Sequence, residues 1–194
     1  MKLLLTGFEP FAGGTVNPSW EAVKRLDDTV GRFTIEKLLL PVTFGGAART
    51  VIARLEELRP DAILCVGQAG GRAAVTPELV AINLREASVP DNDGFMPAGE
   101  PVVPGGPAAY FSTLPVRKMT AAIREAGIPA ALSLSAGAFV CNDVLYALLH
   151  RFNGTETKIA FVHLPFLPEQ AGEDKPSLTL DEMTRALRAA IGVL

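Results

Sequence analysis

The chain has 194 residues, 48% of them hydrophobic, and a net charge of −3, which is enough apolar material for one sizeable core. Acidic and basic residues are interspersed with no basic stripe, no apolar run approaches membrane-spanning length, and the opening MKLLL stops too early for a signal-peptide core; nucleic-acid and membrane partners are therefore not expected. Two cysteines without framework spacing point to a reducing, intracellular setting, and His150 and His163 form no ligand pattern with them, so no metal site is expected.

Residues 2–6 read as a buried first strand. A loop rich in glycine and proline, GFEPFAGGTVNPSW, follows. Asn17 then stands as an N-cap with Pro18 at the first position of a helix to about Leu26. A second strand is expected over 33–42, and Thr43-Phe44-Gly45-Gly46 leads into a helix with Val51, Ile52, Leu55 and Leu58 on its apolar face. AILCVG, 62–67, is a continuous apolar run, as in a strand covered on both faces. Val80, Ile82 and Leu84 alternate with Ala81 and Asn83, so another strand should start near Glu78. Residues 86–109 hold five prolines and four glycines, and an irregular stretch of that length is usually functional or an assembly surface. Leu114-Pro115 begins a helix that Gly127 terminates. A short strand over 130–134 should feed a small-residue turn at Ser135, Ala136 and Gly137. The helix after it buries Val140, Val144, Leu145, Leu148 and Leu149. KIAFVHL, 158–164, is the last strand, and Thr179 with Glu182 has capping-box spacing for a final helix to about Ile191. This alternation predicts one α/β domain over 1–194, a three-layer α/β/α sandwich around a mostly parallel, mixed sheet.

In such sheets ligands gather beyond the carboxyl ends of the strands. The Phe8–Gly14 loop, Gln68–Gly71, the turn before Cys141, and His163 all fall there. Cys141 lies in the first turn of its helix, where unpaired N–H groups and the macrodipole favour a thiolate. A lone cysteine is more often a small buried hydrophobe, so the assignment needs a base. Cys65, inside AILCVG, should be buried and inert. His150 ends a helix, a position that explains itself, whereas His163 closes the last strand. Elimination leaves Cys141 with His163 as the thiol–imidazole pair. Such a pair needs an orienting acid. Glu78 stands alone among apolar neighbours, but it reads equally as an exposed carboxylate at an element start. GFEPFAGG lacks the lysine and spacing of a phosphate loop, and Phe8, Phe11 and Phe139 could wall a small flat ligand or simply fill the core.

Taken together, TGFEPFAGGTVNPSW, VGQAGGR, TPELVAIN, PDNDG, GPAAYFSTLP, SAGAFVCN and FVHLPFLPEQ resemble pyrrolidone carboxyl peptidase, the type I pyroglutamyl peptidase family, in the family's order along almost the whole chain. The resemblance implies a cytoplasmic, homotetrameric cysteine peptidase that removes N-terminal pyroglutamyl residues and uses no metal or other cofactor. By motif it implies Cys141 as nucleophile, His163 as base and Glu78 as orienting acid. The substrate-binding set it implies is Phe8, Phe11, Gln68, Phe139 and Val140. Two positions depart from the family's pattern: Ser88 replaces an arginine common in A-R-I-P-D-N, and Asp143 stands where many relatives have histidine. Two rival readings remain, a phosphorolytic enzyme by fold analogy and an inactive ligand-binding relative suggested by Ser88.

Overall fold

In chain order the elements are β1 (Lys2–Phe8), α1 (Pro18–Arg25), β2 (Thr29–Val30), β3 (Phe33–Leu40), α2 (Gly46–Leu58) and β4 (Ala62–Gln68). Five short strands follow: β5 (Thr76–Glu78), β6 (Val80–Ile82), β7 (Arg85–Glu86), β8 (Ala98–Glu100) and β9 (Ala109–Phe111). The chain ends with α3 (Val116–Glu125), α4 (Val140–Arg151), β10 (Lys158–Leu164), α5 (Pro168–Ala171) and α6 (Leu180–Gly192). The computed structural model describes residues 1–194 and every side chain except that of Glu56.

The uniformly apolar runs form the middle of a six-stranded sheet in the order β2-β3-β1-β4-β10-β5. β3, β1, β4 and β10 are mutually parallel, and β2 and β5 close the edges antiparallel. Because side chains alternate across a strand, each strand feeds two cores. Leu64, Val66, Ala160 and Val162 face a core built with α1, α3 and α6. Ile63, Cys65, Ile159 and Phe161 face the other, built with α2 and α4. The three-layer, mixed-sheet architecture expected from the alternation of elements is the one observed.

Local signals account for many boundaries. Asn17 caps α1 through Ser19 N with Pro18 at the first position, and Thr179 and Glu182 form the reciprocal capping box of α6. Three expectations are corrected. Residues 130–134 make only isolated parallel bridges, Val75 to Ala130 and Glu78 to Ser133; Pro77 and Pro129 each remove a donor from that ladder. The strand expected from Glu78 begins earlier and divides at Leu79. β5 joins the main sheet, while β6 pairs with β9 in a sheet of its own; Leu79 packs on the core with α1, α3 and α6. The stretch 86–109 is also less irregular than its composition suggests. β7 and β8 pair within it, and Asn83 anchors it through Val103 and Gly106.

Candidate active site

α4 starts abruptly. Gly137 takes a positive φ of 80°, Phe139 is extended, and no side chain caps the helix. The N–H groups of its first turn therefore have no partner within the helix, and they point where an anion would sit. Cys141 is the second residue of this turn and is partly exposed. Asn142, fully buried, holds the turn in place: it accepts from Ile82 N at 2.8 Å and donates to the carbonyls of Ile82 and Leu84. Asp143, also fully buried, accepts from Arg85 Nε at 2.6 Å and from Gly45 N at 2.7 Å, tying the starts of α4 and α2 to β7.

The thiol faces the sheet at Gly67. A Cβ there would stand 2.9 Å from Cys141 Sγ and 2.7 Å from the Phe161 ring, so only glycine leaves room for the sulfur. Gly67 is the register partner of His163 across the parallel β4–β10 pair, and paired residues of adjacent strands project to the same face. Thiol and imidazole thus share one face, a strand apart. Glu78 reaches that face from β5, opposite Phe161.

His163 is 4% exposed and Glu78 is fully buried. His163 Nδ1 and Glu78 Oε1 are 2.7 Å apart. A carboxylate only accepts, so Nδ1 carries the proton and Nε2 is left as the base. Arg72 Nη1 donates to the same oxygen at 2.6 Å and also to Thr76 Oγ1. Burial works to raise the Glu78 carboxyl, but hydrogen bonds from His163 and Arg72 and the His163 charge hold it below its ordinary value. Burial pushes His163 below the usual imidazole value, with Glu78 pulling the other way.

Burial, followed by the Glu78 charge, pushes the Cys141 thiol up to about 12. Burial thus opposes the thiolate stabilisation expected at a helix start. A helix terminus contributes about 0.3–1 kcal/mol, less than the ~1.4 kcal/mol that moves an acid constant tenfold, and the surrounding desolvation is larger. Burial favours the neutral forms of the thiol and the imidazole, while the hydrogen bonds from His163 and Arg72 favour the ionised form of Glu78.

Beside Cys141 lies a cleft of about 280 Å³, including its open mouth, and Phe8, Phe11, Gln68, Phe139 and Val140 all line it. Phe11 and Phe139 lean across it with ring centroids 6.1 Å apart. Phe139 is braced edge-on by Phe44. Asn17 and Val42 complete the lining; the sequence had marked Asn17 only as a helix cap. Arg72 was also missed, and its only trace was the terminal residue of VGQAGGR. Ser88 is exposed, Arg85 is committed to Asp143, and neither lines the cleft. The guanidinium that reaches the candidate triad is instead Arg72, through Glu78. Cys65 is fully buried, which pushes its thiol up to about 12, and His150 pairs with Tyr110 Oη at 2.9 Å on another part of α4.

A three-layer α/β fold that puts a cysteine at a helix start, on the same sheet face as a carboxylate-bound histidine, has the parts of a thiol–imidazole site. Comparison with known proteins gives the family. The family model for pyroglutamyl peptidase matches residues 1–194. A pyrrolidone-carboxylate peptidase of Chromobacterium violaceum is 52% identical over 192 residues, 97% of this chain and 90% of the relative. The crystal structure of pyroglutamyl peptidase I from Bacillus amyloliquefaciens superposes with a TM-score of 0.95 at 47% identity, covering 98% of this chain and 95% of that one. The pyrrolidone carboxyl peptidase of Thermococcus litoralis superposes at 0.93 with 36% identity, over 99% and 92% of the two chains. The chain belongs to the pyroglutamyl peptidase family, as its motifs suggested.

Proposed function

We propose that this chain hydrolyses the bond after an N-terminal pyroglutamyl residue, through a thioester on Cys141 with His163 as base and Glu78 as orienting acid. The observation that carries this reading is the aromatic cleft of Phe8, Phe11 and Phe139 opening onto a thiol on the imidazole's face of the sheet. The pyroglutamyl ring lies between the phenyl walls. Cys141 Sγ attacks the carbonyl as its proton passes to His163 Nε2, so the site's net charge is conserved and the cost of ionising the thiol alone is avoided. The oxyanion meets the uncapped N–H groups of α4, where one lost donor typically costs about 3 kcal/mol. The C–N bond breaks as the imidazolium protonates the departing amine. Water then attacks the thioester, giving its proton to the same nitrogen; the C–S bond breaks, the imidazolium returns the proton to Cys141 Sγ, and pyroglutamate leaves.

Selectivity follows from the lining. Among the described residues the cleft has no carboxylate in its walls, so a free terminal ammonium would be desolvated without a partner, whereas the uncharged lactam is accepted. Pyroglutamyl and prolyl aminomethylcoumarin amides should therefore differ in kcat/KM by at least 100-fold, with Cys141→Ser inactive on both and Cys65→Ser active. Equal rates on the two amides would refute the selectivity, and a working Cys141→Ser enzyme would refute the mechanism.

The same reading includes a homotetramer in the cytoplasm. Exposed Phe111 and Leu134, 67% and 68% accessible, support assembly. Their neighbours Ser112 and Ser133 both hydrogen-bond the backbone of Leu79, so the two apolar side chains belong to one surface region. The two free thiols are suited to a reducing compartment.

A further inference from the structure

A second, wider groove of about 990 Å³, including the open space at its mouth, adjoins the cleft and shares two of its walls, Phe11 and Gln68. It runs between the glycine-rich loop, at Gly13 and Gly14, and the segment after β10, at Phe166 and Glu169. Its cavity volume, about 510 Å³, lies within the ~300–1,000 Å³ range of ligand sites. Cys141 lines the cleft and not the groove. We infer that the groove holds the peptide downstream of the scissile bond, and that Glu169 makes it favour a basic side chain within the first two leaving residues. This rests on the function proposed above: a ring in the cleft, with its carbonyl at Cys141, sends the rest of the chain outward, and the groove continues the cleft past Phe11 and Gln68.

Two features fit that occupant. The first is the amide pair between the sites. Gln170 Oε1 accepts from Leu167 N at 3.0 Å, which fixes its orientation, and its Nε2 donates to Val16 O and to Gln68 Oε1 at 3.1 and 3.0 Å. Gln68 must therefore turn its oxygen to Gln170, and its Nε2 donors meet no acceptor among the described residues. They are free for a carbonyl of a bound peptide, which offers acceptors at every residue. The second is charge. Glu169 is the one charged side chain among the described residues lining the groove. The aromatic faces of Phe11 and Phe166 suit the methylene stem of a lysine or arginine whose tip reaches Glu169. Lys175 already lies 5.5 Å from the Phe166 ring, so the incoming stem packs chiefly on Phe11.

The test compares pyroglutamyl-lysine, pyroglutamyl-alanine and pyroglutamyl-glutamate amides. The wild type should prefer lysine over glutamate by about fivefold in kcat/KM, in line with an exposed charge pair, and the preference should shrink in high salt. Glu169→Lys should invert it. Thr15→Trp, which fills the groove from its rim, should raise KM for a pyroglutamyl pentapeptide at least fivefold more than for pyroglutamyl-alanine amide. The same peptides are titrated calorimetrically into Cys141→Ser with and without Glu169→Lys, so the groove is judged by binding even if turnover fails. An order of preference unchanged by Glu169→Lys, or a Thr15→Trp effect equal for short and long peptides, would overturn the inference. Absence of turnover with the binding preference intact would instead count against the proposed chemistry.

Discussion

Three side chains share one charge at the centre of the site. Glu78 Oε1 receives both His163 and Arg72, so the carboxylate stays ionised where a lone buried acid would be neutral. Burial of the imidazole disfavours its charged form and outweighs the pull of Glu78. The sign of the pH dependence follows. His163 must be unprotonated to act as base, and its folded value lies below the ordinary 6.5, so the acid limb of kcat/KM should fall below pH 6.5. Glu78→Gln removes the hydrogen bond and charge that raise His163; the limb should move further to acid while kcat drops roughly 100-fold or more. A limb at or above pH 6.5, or one unmoved in Glu78→Gln, would contradict this. At this scale the sequence spoke unevenly. Cys141 and His163 could be picked out because each stands at the end of a recognisable strand or helix. Glu78 was ambiguous, since nothing local distinguishes an exposed carboxylate from one that tertiary pairing buries. Arg72 was invisible, because its role depends on a loop folding back over β5.

The start of α4 is held by elements distant in sequence. Asp143 links Arg85 of β7 and Gly45 at the start of α2, and Asn142 links β6. Removing one partner of a buried pair leaves the others uncompensated. Arg85 is partly exposed, so Asp143→Ala should cost about 2–3 kcal/mol rather than the full penalty of a dry pair. For a chain of this length that lowers Tm by roughly 5–10 °C, measurable by calorimetry; a loss below 1 °C would show that the pair does not hold the helix. Helices and apolar strands were legible because periodicity and caps are local signals, as at Asn17, Pro18 and Thr179. The failures came where backbone pairing is long-range. Residues 130–134 look like a strand until Pro77 and Pro129 thin their ladder, and the split at Leu79 reflects which core that side chain enters.

At the scale of the molecule, the sheet gathers the carboxyl ends of β1, β4 and β10 along one edge, and the aromatic cleft, the thiol and the groove all open there. The exposed apolar region around Phe111 and Leu134 is built on other elements, β9 and the segment beside β5. Phe111→Asp with Leu134→Asp should therefore reduce the mass seen by light scattering from that of the proposed tetramer toward smaller species; an unchanged mass places the assembly surface elsewhere. The thioester on Cys141 is the step on which the proposed chemistry stands, and acid-quenched mass spectrometry during turnover of a pyroglutamyl ester detects it directly. A pyroglutamyl acyl group is expected on the peptide containing Cys141, absent from Cys141→Ser and accumulating in His163→Ala, which the activated ester can acylate but which has no base to activate water. An acyl group on Cys65 or any other residue, or rapid turnover with no thioester in a range of quench times, would contradict it.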